Sequence, residues 1–251
     1  MIELSLILFL VSVPAVIFAG ISKGGFGSAA AFVATPILAL VIEPAAALVL
    51  LLPLLMLMDV ASLRAYWQQW DTHAAKVLII GAMPGVALGY LLFSLTHPDV
   101  LRFLIGLISV LFVLYRLAMS LNWLRPPARL PGTGLGLLAG AVSGFTSFIS
   151  HAGGPAAAIY LLGRRLDKTA FQATTVIVFF VVNIAKLAPL VWSGSFDRSI
   201  LLADLILAPV ALIGVWLGVF AHHRISERNF FALTYVLLLV TGSKLIWDAL
   251  T

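Results

Sequence analysis

Ser22-Lys23-Gly24-Gly25-Phe26-Gly27 follows one short apolar segment and opens another, and Ser150-His151-Ala152-Gly153-Gly154-Pro155 does the same further along the chain. Each pair of segments is followed by an apolar stretch that ends in an aromatic and acidic turn, Trp67 to Asp71 and Trp192 to Asp197. Two glycine-marked interruptions in one order point to a chain built twice, with a binding site expected where the copies meet.

Composition fixes the solvent of such a chain. Hydrophobic residues make up 62% of the 251 residues and charged residues 10%, with a mean hydropathy of +1.13. That leaves too little polar surface for a water-soluble domain of this length. In lipid only helices and closed barrels satisfy every backbone group, and the apolar runs far exceed the roughly 10-residue alternating strands of a barrel. The expected class is an all-α polytopic membrane protein. The net charge of +5 falls mostly between the apolar runs, where it sets orientation, so nucleic acid is not an expected partner. The absence of cysteine excludes disulfides, thiolate metal sites and a catalytic thiol; no cofactor and no metal are expected. Met1 to Gly20 reads as a retained helix and not a cleaved leader, because Glu3 stands where a positive region is required and a second apolar run follows at once.

Apolar periodicity and breakers predict ten helical segments, near 4–19, 26–42, 44–65, 73–95, 99–121, 134–149, 153–163, 168–191, 199–221 and 229–248. Asn122 to Thr133 is the one sizeable polar connection, giving a first repeat over 1–121, a linker over 122–133 and a second repeat over 134–251. An offset of 124 pairs Glu43 with Asp167, Ala46 with Ala170 and Asp59 with Asn183, while Pro84 and Gly89 share their spacing with Pro209 and Gly214. With ten crossings and the N-terminus outside, Lys23, Arg64, Lys76, Arg116, Arg125, Arg129, Arg164, Arg165, Lys168, Arg224 and Arg228 fall inside. This follows the positive-inside rule, and five crossings per copy turn the second copy upside down. The expectation is two inverted repeats of about five transmembrane segments each, with broken or short helices at the glycine-rich turns and both termini periplasmic. Segment 153–163 is too short for the ~20 residues of a full span.

The first segment covers about 16 residues, roughly 24 Å against a ~30 Å hydrocarbon core, so the break after it is expected inside the membrane. A helix opening at Gly24 or Gly25 would aim amides and a positive dipole end at that break, with Ser22 and Ser28 as hydroxyl donors. Gly153 and Gly154 would do the same in the second half, with Ser150 and His151 as side-chain donors. Such a site suits a small anion. Lys23 either contacts the substrate or only fixes topology. Asp59 and Asn183 lie inside apolar segments, where an ionisable group must face a cavity or a partner. Asp59 is the candidate for proton coupling, or else pairs with Lys186 or Arg64. Lys186, one turn beyond Asn183, either attracts the anion or snorkels outward. His151 is a second candidate proton carrier, or a hydrogen-bonding group. His222 and His223, beside Arg224, read as a solvated turn, and Trp67, Trp70 and Trp192 as interfacial anchors.

The glycine-rich breaks, the Pro36 that follows the first, and Glu43-Pro44-Ala45-Ala46 ahead of a long helix resemble the TauE/SafE family of membrane permeases. Ser143-Gly144-Phe145 leading to Gly153-Gly154-Pro155 is similar to that family's second repeat, and the resemblance covers nearly the entire chain. It implies export of sulfite or of organosulfonates such as sulfoacetate. A secondary transporter working by alternating access, with a proton as coupling ion, is the expected function. An anion channel and an intramembrane serine hydrolase built on Ser143 or Ser150 with His151 are the alternatives. The expected partners are the lipid bilayer and a small anionic substrate, and a homodimer is compatible with the sequence.

Overall fold

The computed structural model describes residues 5–26, 30–121, 123, 131–221 and 227–251. It is helical throughout, and no strand occurs among the described residues. The helices are α1 (Leu6–Ile21), α2 (Ala34–Leu38), α3 (Pro44–Ala65), α4 (Thr72–Leu95), α5 (Pro98–Ser120), α6 (Thr133–Ser150), α7 (Gly154–Gly163), α8 (Lys168–Trp192), α9 (Arg198–Ala221) and α10 (Glu227–Leu250). Among the described residues, eight helical spans are long and apolar enough to cross a membrane, and α7, with 10 residues, is not.

The second segment departs from expectation. Instead of one helix over 26–42, α1 continues without interruption through a π-helical turn, Ser22–Phe26, and the chain then makes a short 3₁₀ turn, Ala31–Val33, before the five residues of α2. Apolar composition alone does not distinguish a continuous helix from a fractured one. On either side of this stretch α1 and α3 run parallel. Ser5 shares a cavity with Val41 to Val49, at the starts of α1 and α3, while the end of α1 meets the end of α3 where the Tyr66 hydroxyl donates to the Gly24 carbonyl at 2.7 Å.

The neighbours of each half mirror one another. α1 packs along α9, and α6 packs along α4. Both contacts run parallel and are built on small residues spaced four apart, Gly20 and Gly24 against Gly214 and Gly218, and Gly81 and Gly85 against Gly140 and Gly144. A Cβ on Gly24 would enter the Val215 carbonyl and one on Gly85 the Ala141 carbonyl, so only glycine permits the approach. The corresponding pairs α3/α8 and α5/α10 run antiparallel: Asp71, just past α3, accepts the approach of α8 near its start (Asp71 N–H to Thr174 Oγ1, 2.9 Å), and Gly106 faces Gly242 while Arg116 reaches Tyr235. The acidic turns have a shared use, since Asp71 caps α4 through the Ala74 N–H at 2.7 Å and Asp197 caps α9 through the Ile200 N–H at 2.8 Å.

α3 is apolar on nearly every face, with Leu50, Leu51, Leu52, Leu54 and Met58 all buried. That is the pattern of a helix at the centre of a bundle. α8 crosses beside it, and the two carry the polar residues of the core.

Candidate functional site

Within this apolar centre lies a connected cluster of charged and polar side chains from both halves. The π-helical turn places Lys23 against Asp59 of α3, and the Lys23 ammonium forms an ion pair with Asp59 Oδ1. The second carboxylate oxygen accepts from Asn183 Nδ2 of α8 at 2.8 Å. One turn along α8, Lys186 Nζ donates to the Ser147 carbonyl at 2.9 Å and its hydroxyl at 3.1 Å, and lies 2.8 Å from His151 Nδ1. The other ring nitrogen, Nε2, lies 3.0 Å from the Leu48 carbonyl. A carbonyl only accepts, so Nε2 carries the hydrogen and Nδ1 accepts from Lys186; the imidazole is held neutral. Lys186 thus has three neutral acceptors for its three N–H bonds, is 1% exposed and makes no salt bridge.

The cluster repeats with the offset found in the sequence. Asp59 and Asn183 are 124 residues apart and touch. Ser62 Oγ donates to the Lys23 carbonyl at 3.4 Å, and the Lys186 ammonium donates to the Ser147 carbonyl across the same separation of 39 residues. One hydrogen-bond pattern is present in both halves, with different side chains in the equivalent positions.

Around this core the remaining sequence-predicted residues take several places. Ser22 is buried in the π-helical turn. Gly24 and Gly25 do not open a second helix, because their backbone continues α1; they are pressed against Val215 and Gly218 of α9 instead. The side chain that this turn directs toward the centre is Lys23, which meets Asp59. The carbonyls of the turn are satisfied by Tyr66, Ser62 and Gln172, the last donating from α8 to the Lys23 carbonyl at 2.5 Å. Burial pushes the Tyr66 phenol up to about 12, so it remains a neutral donor. In the second half, His151 ends α6 in a left-handed conformation at φ 56°, a strained choice for a side chain other than glycine. Gly154 opens α7 as predicted, and Gly153 caps it, its carbonyl taking the Ser143 hydroxyl at 2.8 Å. Ser150 Oγ donates to Thr146 of its own helix at 3.1 Å. Ser28, His222, His223 and Arg224 lie outside the described residues.

These contacts bear on four of the sequence alternatives. The partner of Asp59 is Lys23, and neither Lys186 nor Arg64. Lys186 does not snorkel, and Lys23 is no interfacial anchor, being 3% exposed. Neither Ser143 nor Ser150 meets His151, whose ring nitrogens are taken by Leu48 and Lys186, so the Ser–His geometry of a hydrolase is not formed. Ser147, Ser62, Tyr66 and Gln172 were not legible as site residues, since single hydroxyls and amides in apolar helices carry no pattern. Asp204 carried a readable signal, a lone carboxylate in an apolar run; it is buried on α9, and both oxygens lack a hydrogen-bond partner.

A cavity of about 10 Å³, room for about one water, lies between Lys23, Ala31, Leu55, Ser147, His151, Phe179 and Asn183. Two larger cavities open at opposite ends of the α3/α8 pair. One, about 340 Å³, is lined by Gly25, Gln172 and several aromatic rings, with Arg116 and Lys168; Arg116 is fixed by Tyr235 at 2.8 Å and by the Phe231 ring. The other, about 570 Å³, is lined by Glu43 and Asp197 together with Val49. Hydrogen bonds from Ser199 and from the Ile200 N–H hold the Asp197 carboxyl below the usual range.

Membrane-length helices around a buried polar centre, with a cavity at either end of the α3/α8 pair, define a multi-pass membrane protein. The chain belongs to the sulfite exporter TauE/SafE family, whose model matches residues 12–245. Comparison with curated proteins and with solved structures gives no significant match.

Proposed function

We propose that this protein is a secondary transporter that exports a small sulfur-containing oxyanion, sulfite or an organosulfonate such as sulfoacetate, across the bacterial inner membrane by alternating access. The reading rests above all on one observation: the buried cluster holds two lysines and one aspartate, and every hydrogen-bond acceptor of Lys186 is neutral. An uncompensated cation in the core of a membrane protein is costly. A bound anion between Lys23 and Lys186 supplies the missing charge.

Other features support the finer points. The antiparallel course of α3/α8 and of α5/α10 is what inverted copies produce, and the distribution of Lys and Arg favours periplasmic termini. The cluster parts two cavities at opposite ends of α3 and α8, which favours a carrier over a channel. The basic cavity lies at the end rich in Lys and Arg and draws anions inward to the site. Glu43 and Asp197 at the opposite mouth repel them, a polarity suited to export. For proton coupling we favour Asp59 over His151, because both imidazole nitrogens are already committed. The roughly water-sized space at the centre requires side chains to part before an oxyanion of four heavy atoms enters.

Flux of radiolabelled sulfite from proteoliposomes tests this reading. Saturable flux that responds to an imposed pH gradient and exceeds that of acetate is expected. Equal transport of acetate would remove the sulfur assignment, and turnover above about a million ions per second would make the protein a channel, beyond the reach of microsecond domain motion.

A further inference from the structure

The charge on the cluster also fixes how many charges its cargo can bring. The groups that face Asp59 are Lys23 from the π-helical turn and Asn183 and Lys186 from α8, with His151 at the end of α6 beyond Lys186. Counted with both lysines protonated, Asp59 ionised and the imidazole neutral, the cluster carries a single positive charge. In a medium of low dielectric a residual unit charge is expensive in either sign, so the occupied site must end near neutrality.

We infer that Asp59 sets the valence of the cargo: a monoanion binds as it is, whereas a dianion binds only together with one proton taken up by Asp59. The inference rests on the transport reading above. The contacts supply the route. Asp59 Oδ1 occupies the Lys23 ammonium, the position an entering oxyanion must take, while Oδ2 is held separately by the Asn183 amide. An anion oxygen that displaces Oδ1 from Lys23 leaves that carboxylate oxygen without its cation. The oxygen then accepts a proton from the water on whichever side the site is open to. Asn183 keeps hold of Oδ2 throughout, so the protonated carboxyl remains in register to reclaim Lys23 when the cargo and the proton leave together. His151 is not placed to take that proton, since Nδ1 is covered by Lys186 and Nε2 already carries a hydrogen. Loaded sites of either kind are neutral and the empty site carries one positive charge, so the return of the empty carrier is the voltage-sensitive half of the cycle.

Calorimetric titration of the purified full chain, in two buffers of different ionisation enthalpy, counts the protons exchanged per anion. Methanesulfonate and sulfate are suitable probes because neither changes its own protonation near neutral pH. The expected result is no proton for methanesulfonate and one taken up for sulfate. Sulfate affinity should fall about tenfold per unit rise in pH, with methanesulfonate unaffected. Asp59→Asn should abolish the uptake and the pH dependence and shift the sulfate-to-methanesulfonate affinity ratio at least tenfold toward sulfate. Sulfate binding without proton uptake in the unmodified protein overturns the inference whether or not the variant folds, and so does uptake that persists in Asp59→Asn. These outcomes leave the transport reading standing. Failure of methanesulfonate, sulfate and sulfite alike to bind removes that reading, and the valence rule with it.

Discussion

Lys186 and Lys23 are both buried lysines, yet their surroundings assign them different costs. Lys23 has a carboxylate partner and Lys186 has three neutral ones. Lys186→Met should therefore relieve an uncompensated charge, leaving the melting temperature in detergent unchanged or raised while weakening sulfite binding by about a hundredfold or more; a parallel loss of stability and affinity would mean that Lys186 only holds the fold. The Lys23–Asp59 pair behaves in the opposite way. Removing one member of a buried pair leaves the other charge stranded, at a cost of about 3–5 kcal/mol. Lys23→Met and Asp59→Leu should each lower thermal stability sharply, and the double variant should recover much of it. Additive losses would show that the two side chains are not coupled.

At the scale of the helix, the glycines divide by what surrounds them. Gly85 and Gly24 touch backbone of α6 and α9, whereas a Cβ on Gly134 meets nothing within 4 Å. Gly85→Val and Gly24→Val should abolish a monodisperse peak in fluorescence-detected size exclusion, and Gly134→Ala should leave it intact. Long helices were legible from hydropathy because lipid imposes one requirement on all of them: α3 begins and ends where the sequence predicts, at 44 and 65. The broken second segment was not. Its residues are as apolar as a spanning helix, so composition carries no local signature of the 3₁₀ turn at Ala31–Val33. Gly24 and Gly25 lie in the π-helical turn that continues α1, and the side chain this turn presents to α3 is Lys23. Asp59, Asn183 and Lys186 could be picked out because charge and amide stand out in a Leu-rich run, but the pairing of Asp59 with Lys23 depends on how far α1 extends before it breaks.

Over the whole molecule, alternating access requires two openings that are never open to the centre together. The chain has no cysteine, so single introduced thiols report access without background. Ala158→Cys lines the basic cavity and Ala46→Cys the acidic one. Sulfite should change their labelling rates by membrane-impermeant maleimides in opposite directions, in inside-out vesicles for Ala158→Cys and in intact vesicles for Ala46→Cys. Changes of the same sign at both sites would contradict alternation. The duplicated order of residues gave the architecture its outline. The mirrored neighbours α1/α9 and α6/α4 and the repeated bonds of Ser62 and Lys186 extend that duplication into the polar core.

The central claim is that an oxyanion sits between Lys23 and Lys186, where the two halves meet. Selenite is a sulfite analogue whose position can be located by anomalous diffraction from soaked crystals. The account predicts a peak within hydrogen-bond distance of both ammonium groups, with Asp59 withdrawn from Lys23. A peak confined to either outer cavity, with the Lys23–Asp59 pair intact at saturating selenite, would contradict it.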